Sequence, residues 1–303
     1  MITKLSDIFK RIETQQNKKK LAVVAAHDPH VLDAVSRAHQ DGIIDAILIG
    51  DKAKINKIIE DNNYCLNETT IIDEPDNTEA VNHAVNMVRE GNADILMKGI
   101  IDSATFLRPI LRKNGGLGNG EIASSVALFE IKNYHKLLAL TDGGLVISPD
   151  LKAKTGIIKN AVKLMRNLDI PRPKIAVLGA FELVSESMSA TIDAALLSKM
   201  ASRGQIKNCI VDGPLSFSNV ISSKSAMLKG FESEVAGDAD VIIAPNIEAA
   251  NVLYKAFVHL AGALPAAVVM GASIPLVLTS RADSEDIKLN SIKLSASVGP
   301  FSD

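Results

Sequence analysis

A series of short apolar runs, each followed by a segment with helical periodicity, restricts the possible folds of this sequence more than any other feature. The runs are rich in Val, Ile and Leu and lack the strict alternation of a half-buried strand. Between them, segments such as VLDAVSRAHQDG (31–42) and EAVNHAVNMVREG (79–91) carry apolar residues at helical spacing and end at a glycine. This alternation predicts an α/β protein with mostly parallel sheets. The runs cover residues 21–27, 46–50, 69–73, 93–99, 136–144, 174–180, 208–213, 239–246, 266–272 and 275–281.

The length of the chain predicts two domains. A chain of 303 residues is long for one core, and its 47% apolar content with only 4% aromatic residues favours Val, Ile, Leu and Ala cores. Neither a repeat nor a low-complexity linker marks a boundary. We place the seam near residue 135 and expect the last strand and its helix to return to the first domain. The prediction is therefore 1–135 plus 274–303 for domain I and 136–273 for domain II.

Charge and cysteine content exclude several classes of protein. The net charge of -2 gives no reason to expect nucleic acid or a membrane surface as a partner. The longest apolar stretch, 264–278, is shorter than the roughly 20 residues of a membrane span and is interrupted by Gly271 and Pro275. Cys65 and Cys209 lie far apart without a metal-ligand spacing, which predicts two free thiols, a cytoplasmic location and no metal site.

Polar residues recur where the predicted strands end. Ligands of parallel α/β sheets gather at the carboxyl ends of the strands, so these residues are candidates for substrate binding. Turns also favour Gly, Asp and Asn, so each position alone is weak evidence and only the recurrence indicates a site. The candidates are Lys98 and Gly99, Thr141 and Asp142, Asn246, and Ser280 with Arg281.

The segment KGIIDSATFLRPILRKNGGLGNG (98–120) adds basic groups after the fourth run. Ser103 or Thr105 is predicted to cap a helix, with Arg108 one turn inside it and Arg112 on the same face. A capped helix start with a nearby arginine suits an anion. An ordinary capped surface helix has the same pattern, and both interpretations stay open on spacing alone.

The segment TSRADSEDI (279–287) ends the last apolar run with several charges in succession. Asp283 or Ser284 is predicted to cap the last helix, and acidic residues in its first turn favour the helix dipole. Arg281 gains nothing from that dipole, because it is a cation just before a helix N-terminus. An anion bound between Arg281 and the helix would account for both charges, and a guanidinium suits phosphate well.

Four segments together resemble the phosphate acetyl/butyryl transferase family over nearly the whole chain. They are VDGPLSFSNVIS (211–222), AGDADVIIAPNIEAANVLYKAF (236–257), PLVLTSRADS (275–284) and the KG…SAT…R pattern at 98–108. The residue sequences SRADS (280–284) and AAVVMG (266–271) are more similar to the phosphate butyryltransferase branch than to the acetyltransferases.

The resemblance implies a fold and a reaction. The fold is two α/β domains with mostly parallel sheets and an interdomain cleft, like that of isocitrate and isopropylmalate dehydrogenases, in a homodimer. The reaction interconverts acyl-CoA plus phosphate and acyl phosphate plus CoA, by direct transfer in a ternary complex. Coenzyme A is then a substrate, and no cofactor or metal is implied.

The resemblance also implies roles for particular residues. Ser280 and Arg281 match the Ser-Arg pair of the family, and Arg108 matches its earlier anion-binding arginine. The base that accepts the thiol proton is either Asp283 or Asp286. Asp286 precedes an Ile, as the base does in the acetyl enzymes, but lies five residues beyond Arg281 instead of six. Asp283 is slightly favoured because it is nearer the strand end.

Alternative functions remain open from the sequence. The acyl group is butyryl, a branched short chain or acetyl. A decarboxylating dehydrogenase on the same fold needs a set of metal-binding aspartates that we do not find. A CoA or acyl phosphate binding protein without catalysis is the remaining alternative.

Overall fold

A computed structural model of the protein describes residues 2–13, 18–66, 69–230 and 232–299. Two compact units are present. Ser6–Glu121 and the residues from Ala266 onward form one unit, here called the N/C unit, and Ile122–Pro265 with the residues up to Leu5 forms the middle unit. The units change at 121/122 and 265/266. The predicted domain seams at 135/136 and 273/274 stay predictions, as does the interdomain cleft.

The strands and helices are as follows. The strands are β1 Lys19–Val24, β2 Ile44–Gly50, β3 Thr70–Asp73, β4 Ile95–Lys98, β5 Ser124–Glu130, β6 Leu138–Thr141, β7 Lys174–Leu178, β8 Ile210–Leu215, β9 Val241–Ile243, β10 Leu264–Met270 and β11 Leu276–Val277. The helices are α1 Leu5–Glu13, α2 Pro29–Gln40, α3 Lys52–Asn62, α4 Asn77–Arg89, α5 Ser103–Ile110, α6 Leu151–Asn167, α7 Ser189–Ser202, α8 Phe217–Ile221, α9 Ser223–Leu228, α10 Ile247–His259 and α11 Glu285–Ser297.

In the N/C unit the strands follow the order β3-β2-β1-β4-β11-β10. All neighbours are parallel except β10 and β11. Ala22 of β1 pairs with Ile47 of β2 and with Leu96 of β4, and Leu96 pairs in turn with Leu276 of β11. The carboxyl ends of β1, β4 and β11 therefore lie side by side at one edge of the sheet.

The core of the N/C unit explains why β1 is apolar on both faces. Leu21 to Val24 are all fully buried. On one face, Leu32 of α2 and Ile292 of α11 pack in the same cluster as Leu21. Burying one such side chain stabilises the fold by about 1.5–3 kcal/mol. The helices α2 and α11, which flank the candidate site, are thus fixed to the sheet by the core.

In the middle unit the strands follow the order β5-β6-β9-β7-β8. The pairs from β6 to β8 are parallel, whereas β5 is antiparallel to β6 and pairs Ala127 with Leu140. Phe129 of β5 is fully buried and contacts Tyr254 and Phe257 of α10 edge-on, with ring centroids 5.2 and 5.1 Å apart. The β5–β6 hairpin lies within one compact unit.

The predicted fold class is confirmed. Each of the ten apolar runs contains a strand, and the predicted helices at 31–42 and 79–91 correspond to α2 and α4. The sequence analysis missed β5, whose seven residues SSVALFE form an antiparallel pair and are not followed by a helix. Within the described residues, no helix has the length and apolarity that a membrane crossing requires.

Candidate active site

The last strand of the N/C unit ends in a tight polar turn, Ser280–Asp283. The Ser280 N–H donates to Asp283 Oδ2 at 2.8 Å, and the Asp283 N–H donates back to the Ser280 carbonyl at 3.2 Å. Ser280 Oγ accepts from the Ala282 N–H at 3.3 Å, which leaves the hydroxyl hydrogen of Ser280 available to another acceptor. The side chains of Ser280 and Asp283 are therefore held at fixed positions in one turn.

The guanidinium of Arg281 is exposed at this turn. Among the described residues, no carboxylate lies within ion-pairing distance of it, in contrast to Arg37 of α2, which pairs with Asp286. An exposed arginine with its planar fork unoccupied, next to a serine hydroxyl, suits a phosphate or carboxylate ligand. The turn is thus able to bind an anion.

Asp286 and Glu285 occupy the first turn of α11, and Ser284 is its N-cap. Ser284 Oγ accepts from the Ile287 N–H at 3.4 Å, which selects Ser284 from the two predicted caps. Asp286 Oδ1 accepts from Arg37 Nη2 at 2.8 Å, and this hydrogen bond is the main reason why the pKa of Arg37 is raised. Glu285 contacts His30 of α2. The two candidate bases therefore differ: Asp283 belongs to the turn, and Asp286 is ion-paired to α2.

Lys98 and Gly99 follow β4, beside the end of β11. Gly99 lies against β1, because a Cβ on it would be 2.2 Å from the Ala25 carbonyl oxygen. The Lys98 side chain is buried, and its Nζ donates to the carbonyl oxygens of Gly99 and Ile101 at 3.2 and 3.1 Å. Burial lowers the pKa of Lys98, and so does the charge of Arg281.

The predicted cap of α5 is wrong. Asp102 is the N-cap, and its carboxylate accepts from the Thr105 N–H at 2.8 Å, because an aspartate directly before the helix reaches the free N–H groups better than residues inside it. Ser103 and Thr105 are the first and third residues of the helix. Arg108 is exposed in the last turn, and the helix ends at Ile110, so Arg112 is not on a shared helical face with it.

The candidates in the middle unit make local hydrogen bonds. Asp142 is buried, and its carboxylate accepts from the N–H groups of Gly144, Leu145 and Val146 at 2.9, 3.1 and 3.0 Å. Asn246 is the N-cap of α10 and accepts from the Ala249 N–H at 3.0 Å. Thr141 is buried, and its hydroxyl has no hydrogen-bond partner among the described residues. These contacts shape the loops after β6 and β9, and substrate binding by these residues stays a prediction.

Three residues near the site were missed by sequence reasoning. Lys288 is buried in α11 and donates to the carbonyl oxygen of Asp283. Arg37 and Asp102 have the contacts described above. The sequence signal for Lys288 is a charge between the apolar residues Ile287 and Leu289, both of which are buried. Arg37 pairs with a residue 249 positions away, which no local pattern indicates. No group of three or more His, Cys, Asp or Glu side chains in the described part of the chain is arranged to hold a metal ion.

Comparison with known proteins gives consistent results. The sequence model of a family described as phosphate acetyl/butaryl transferase matches residues 4–81 and 74–296. A phosphate butyryltransferase from Clostridium beijerinckii is 45% identical over 280 residues, 92% of this chain and 93% of that protein. A phosphate acetyltransferase from Thermotoga maritima is 44% identical over 288 residues, 95% of this chain and 98% of that protein.

A solved structure extends the similarity to the fold. The crystal structure of a branched-chain phosphotransacylase from Enterococcus faecalis V583 is 27% identical to this chain. It superposes with a TM-score of 0.82 and covers 92% of this chain and 98% of that one. Sequence and fold therefore indicate the same family.

Proposed function

This chain belongs to the phosphate acetyl/butyryl transferase family, and from that premise we propose that it catalyses acyl-CoA + phosphate ⇌ acyl phosphate + CoA. The chain is an acyltransferase. The observation that carries the proposed reaction is the Ser280–Asp283 turn, where a hydroxyl, an exposed guanidinium and a carboxylate share four consecutive residues.

We propose the following roles, in the direction of acyl-CoA synthesis. A CoA thiol with a pKa of about 8.5 is mostly protonated at neutral pH, so a base that accepts its proton favours the reactive thiolate. The thiolate attacks the carbonyl carbon of the acyl phosphate in a ternary complex. The bond between that carbon and the phosphate oxygen then breaks, and phosphate leaves. Ser280 donates to the carbonyl oxygen as negative charge develops there, and Arg281 binds the phosphoryl oxygens.

Asp283 is the base in this proposal. Its carboxylate is held beside Ser280 by the Ser280 N–H, so it stays at a fixed distance from the group that binds the carbonyl oxygen. Asp286 instead accepts a hydrogen bond from Arg37 of α2 at 2.8 Å and lies outside the turn. Lys98, Gly99, Ser103, Thr105 and Arg108 belong to the proposed substrate site of the N/C unit, and Thr141, Asp142 and Asn246 to that of the middle unit.

Butyryl is the proposed acyl group. The SRADS and AAVVMG segments support it, whereas identities of 45% and 44% to a butyryl and an acetyl enzyme do not separate the two. The test is the rate of thioester formation from CoA and acetyl, propionyl, butyryl, isobutyryl and isovaleryl phosphate, followed by ultraviolet absorbance. The highest kcat/KM is expected for butyryl phosphate. Absence of turnover with all five would reject the enzyme and leave a CoA-binding protein.

A homodimer is the proposed assembly. Apolar side chains that are between 70% and 87% exposed lie on the middle unit. A contiguous apolar patch is typical of a surface that binds another protein, and the proposal assigns these side chains to such a patch: Leu183, Met227, Leu228, Val252 and Leu260. Light scattering on a sizing column is expected to give twice the 32.3 kDa chain mass. Leu228→Lys and Leu260→Lys are expected to shift it to the single-chain mass, and a wild-type monomer would contradict the proposal.

The proposed location is the cytoplasm, where CoA and phosphate are both present. Cys65 and Cys209 are free thiols, which suits a reducing compartment. Fractionation of the native host with an antibody against the chain is the test, and recovery outside the cytoplasmic fraction would contradict it.

A further inference from the structure

Two lysines at the edge of the sheet are buried and have no carboxylate partner among the residues that the structure describes. Lys98 is 6% exposed and Lys288 is 2% exposed. Within the described part of the chain, neither ammonium group lies within ion-pairing distance of a carboxylate. The buried lysines Lys136 and Lys154 of the middle unit, in contrast, pair with aspartates at 2.7 and 2.6 Å. The pair in the N/C unit is therefore unusual within this protein.

Both ammonium groups donate to backbone carbonyls of the loops at the candidate site. Lys98 contacts the carbonyl oxygens of Gly99 and Ile101, which lie between β4 and α5. Lys288 contacts the carbonyl oxygen of Asp283, which lies between β11 and α11. Because β4 and β11 are parallel neighbours, these two loops begin at the same edge of the sheet. Each lysine thus fixes the loop that follows one of two adjacent strands.

Burying a cation without an opposite charge is costly, and an apolar side chain of similar volume is often neutral or stabilising at such a position. The fold alone therefore gives little reason for two such lysines. The contacts supply another reason. A carbonyl oxygen that faced a bound phosphate would repel it, and each ammonium draws these oxygens toward the interior. The N–H groups and side chains of the same loops are then left to face the ligand.

We propose that Lys98 and Lys288 are positioning residues for phosphate, which hold three loop carbonyls inward so that the Ser280–Asp283 turn and the loop before α5 accept an anion. This inference rests on the proposed function. It gives Lys98 a role in the proposed substrate site that is exerted through loop carbonyls. Lys288 acts through Asp283, because its hydrogen bond fixes the backbone of the residue that carries the proposed base.

The charges that act on Lys98 belong to the same edge of the sheet as the proposed anion site. Burial is the largest cause of its lowered pKa, followed by the charge of Arg281, while Asp28 opposes the shift. Lys288 lowers the same pKa and Asp102 raises it. These four charged groups come from the loops and helices that surround the carboxyl ends of β1, β4 and β11.

The test compares Lys98→Met and Lys288→Met with Lys154→Met. Methionine keeps the volume and removes the donor. We expect both site variants to fold, to raise the KM for phosphate about 10-fold to 100-fold, and to change the KM for CoA less than about twofold, because a misplacement near 1 Å has effects of that size. Lys154→Met leaves Asp193 unpaired, so it is expected to lower the unfolding temperature without changing either KM.

A glutamine at position 288 separates positioning from simple packing. Lys288→Gln keeps an N–H donor for the Asp283 carbonyl, so its KM for phosphate is expected to return to within about threefold of the wild type. Folded methionine variants with an unchanged KM for phosphate, or with equal changes in both KM values, would overturn the inference. So would failure of both methionine variants to fold, since the lysines would then serve the fold.

A second measurement separates this inference from the proposed function. Inorganic phosphate is expected to raise the unfolding temperature of the wild type and of Lys154→Met, and to raise it much less in the two site variants. If the wild type shows no turnover but keeps this pattern, the proposed reaction fails and the role of the lysines stands. If the wild type turns over and all variants respond equally to phosphate, the role of the lysines fails alone.

Discussion

The guanidinium of Arg281 is the group on which the proposed chemistry depends most. It is exposed and has no carboxylate partner in the part of the chain that the structure describes. An arginine in this state contributes little to stability, because it makes no ion pair that its removal would break. Its replacement is therefore expected to affect ligand binding and turnover and to leave the fold intact.

Arg281→Ala is expected to lower kcat/KM about 10²-fold to 10³-fold, the usual loss when a donor to developing charge is removed. Arg281→Lys is expected to recover only part of this, because an ammonium cannot bind two phosphoryl oxygens through a planar fork. Steady-state kinetics with butyryl phosphate and CoA gives the measurement. Arg89→Ala, an exposed arginine in the last turn of α4, is the matched control and is expected to behave as the wild type.

Asp283→Asn and Asp286→Asn separate the two candidate bases. Asparagine at 283 still accepts from the Ser280 N–H but cannot take a proton, so kcat is expected to fall about 10²-fold to 10⁴-fold. Asp286→Asn loses the exposed ion pair with Arg37, which costs about 0.2–1 kcal/mol, and is expected to retain most of its activity. Kinetics and urea unfolding of both variants give the comparison. The opposite pattern of activity would assign the base to Asp286.

Local chemistry explains which single residues could be identified from the sequence. Ser280, Arg281 and Asp283 stand next to one another, so one strand end brings them together, and their juxtaposition is visible in the sequence. Lys288 is buried and donates to a carbonyl five residues earlier, which depends on how α11 packs. The Arg37–Asp286 pair joins residues 249 positions apart. Contacts of this kind come from packing between helices and are absent from local patterns.

The strands of the middle unit are joined at their amino ends by a cluster of charged side chains, of which Lys136 and Asp240 are buried. Lys136, before β6, contacts Asp238 at 2.8 Å and Asp240, before β9, at 2.7 Å. Lys174, the first residue of β7, also contacts Asp238, at 2.6 Å. The cluster therefore ties three neighbouring strands together. Although burial opposes the shift, hydrogen bonds from Lys136, Lys174 and His135 lower the pKa of Asp238.

Lys136→Met is expected to lower the free energy of unfolding by about 3–5 kcal/mol, because it leaves the buried carboxylate of Asp240 without its cation. Lys174→Met, which removes a more exposed partner, is the control and is expected to cost less.

Because the pKa of Asp238 is lowered in the folded state, its stabilisation is present above the usual carboxyl pKa and is lost as pH falls below it. The gap between Lys136→Met and the wild type is thus expected to narrow below about pH 4. Urea unfolding across pH measures it, and a gap that is constant with pH would contradict this account.

Periodicity predicted strands correctly where an apolar run is followed by a segment with helical spacing. Ten strands were predicted because each apolar run precedes a helical segment or a turn in the parallel part of the fold. β5 was missed because it joins an antiparallel hairpin, so no crossover helix follows it. The N-cap of α5 was assigned to Ser103 or Thr105, whereas it is Asp102. All three residue types are suitable caps, and only the residue at which the helix begins distinguishes them.

The whole molecule is expected to be stabilised by its substrates if it binds them in the folded state. At a concentration of CoA about 100 times its Kd, the stabilisation is about 2.7 kcal/mol. We expect CoA to raise the unfolding temperature of the wild type by several degrees, and desulfo-CoA to do so almost equally, because only the sulfur is removed. Scanning fluorimetry gives the measurement. No shift with either ligand would contradict CoA binding.

For the whole molecule, the order of the motifs along the chain predicted the function. The alternation of apolar runs with helical segments predicted the fold. Each motif alone is short, and a Ser-Arg pair or a capped helix occurs in many proteins. Their order along nearly the whole chain is what indicated the family, which the comparisons then showed. The acyl chain was not resolved, because the size of an acyl pocket depends on how side chains from distant segments pack.

The pairing of β4 with β11 also has a consequence for biosynthesis. Leu96 and Leu276 are register partners although they are 180 residues apart. A ribosome that adds about 5–20 residues per second needs roughly 10–40 seconds to make that interval. β4 therefore waits with one edge uncovered until residues Leu276–Val277 have been synthesised. The anion-binding turn that follows β11 takes shape only after this interval, so products that end before β11 would lack it.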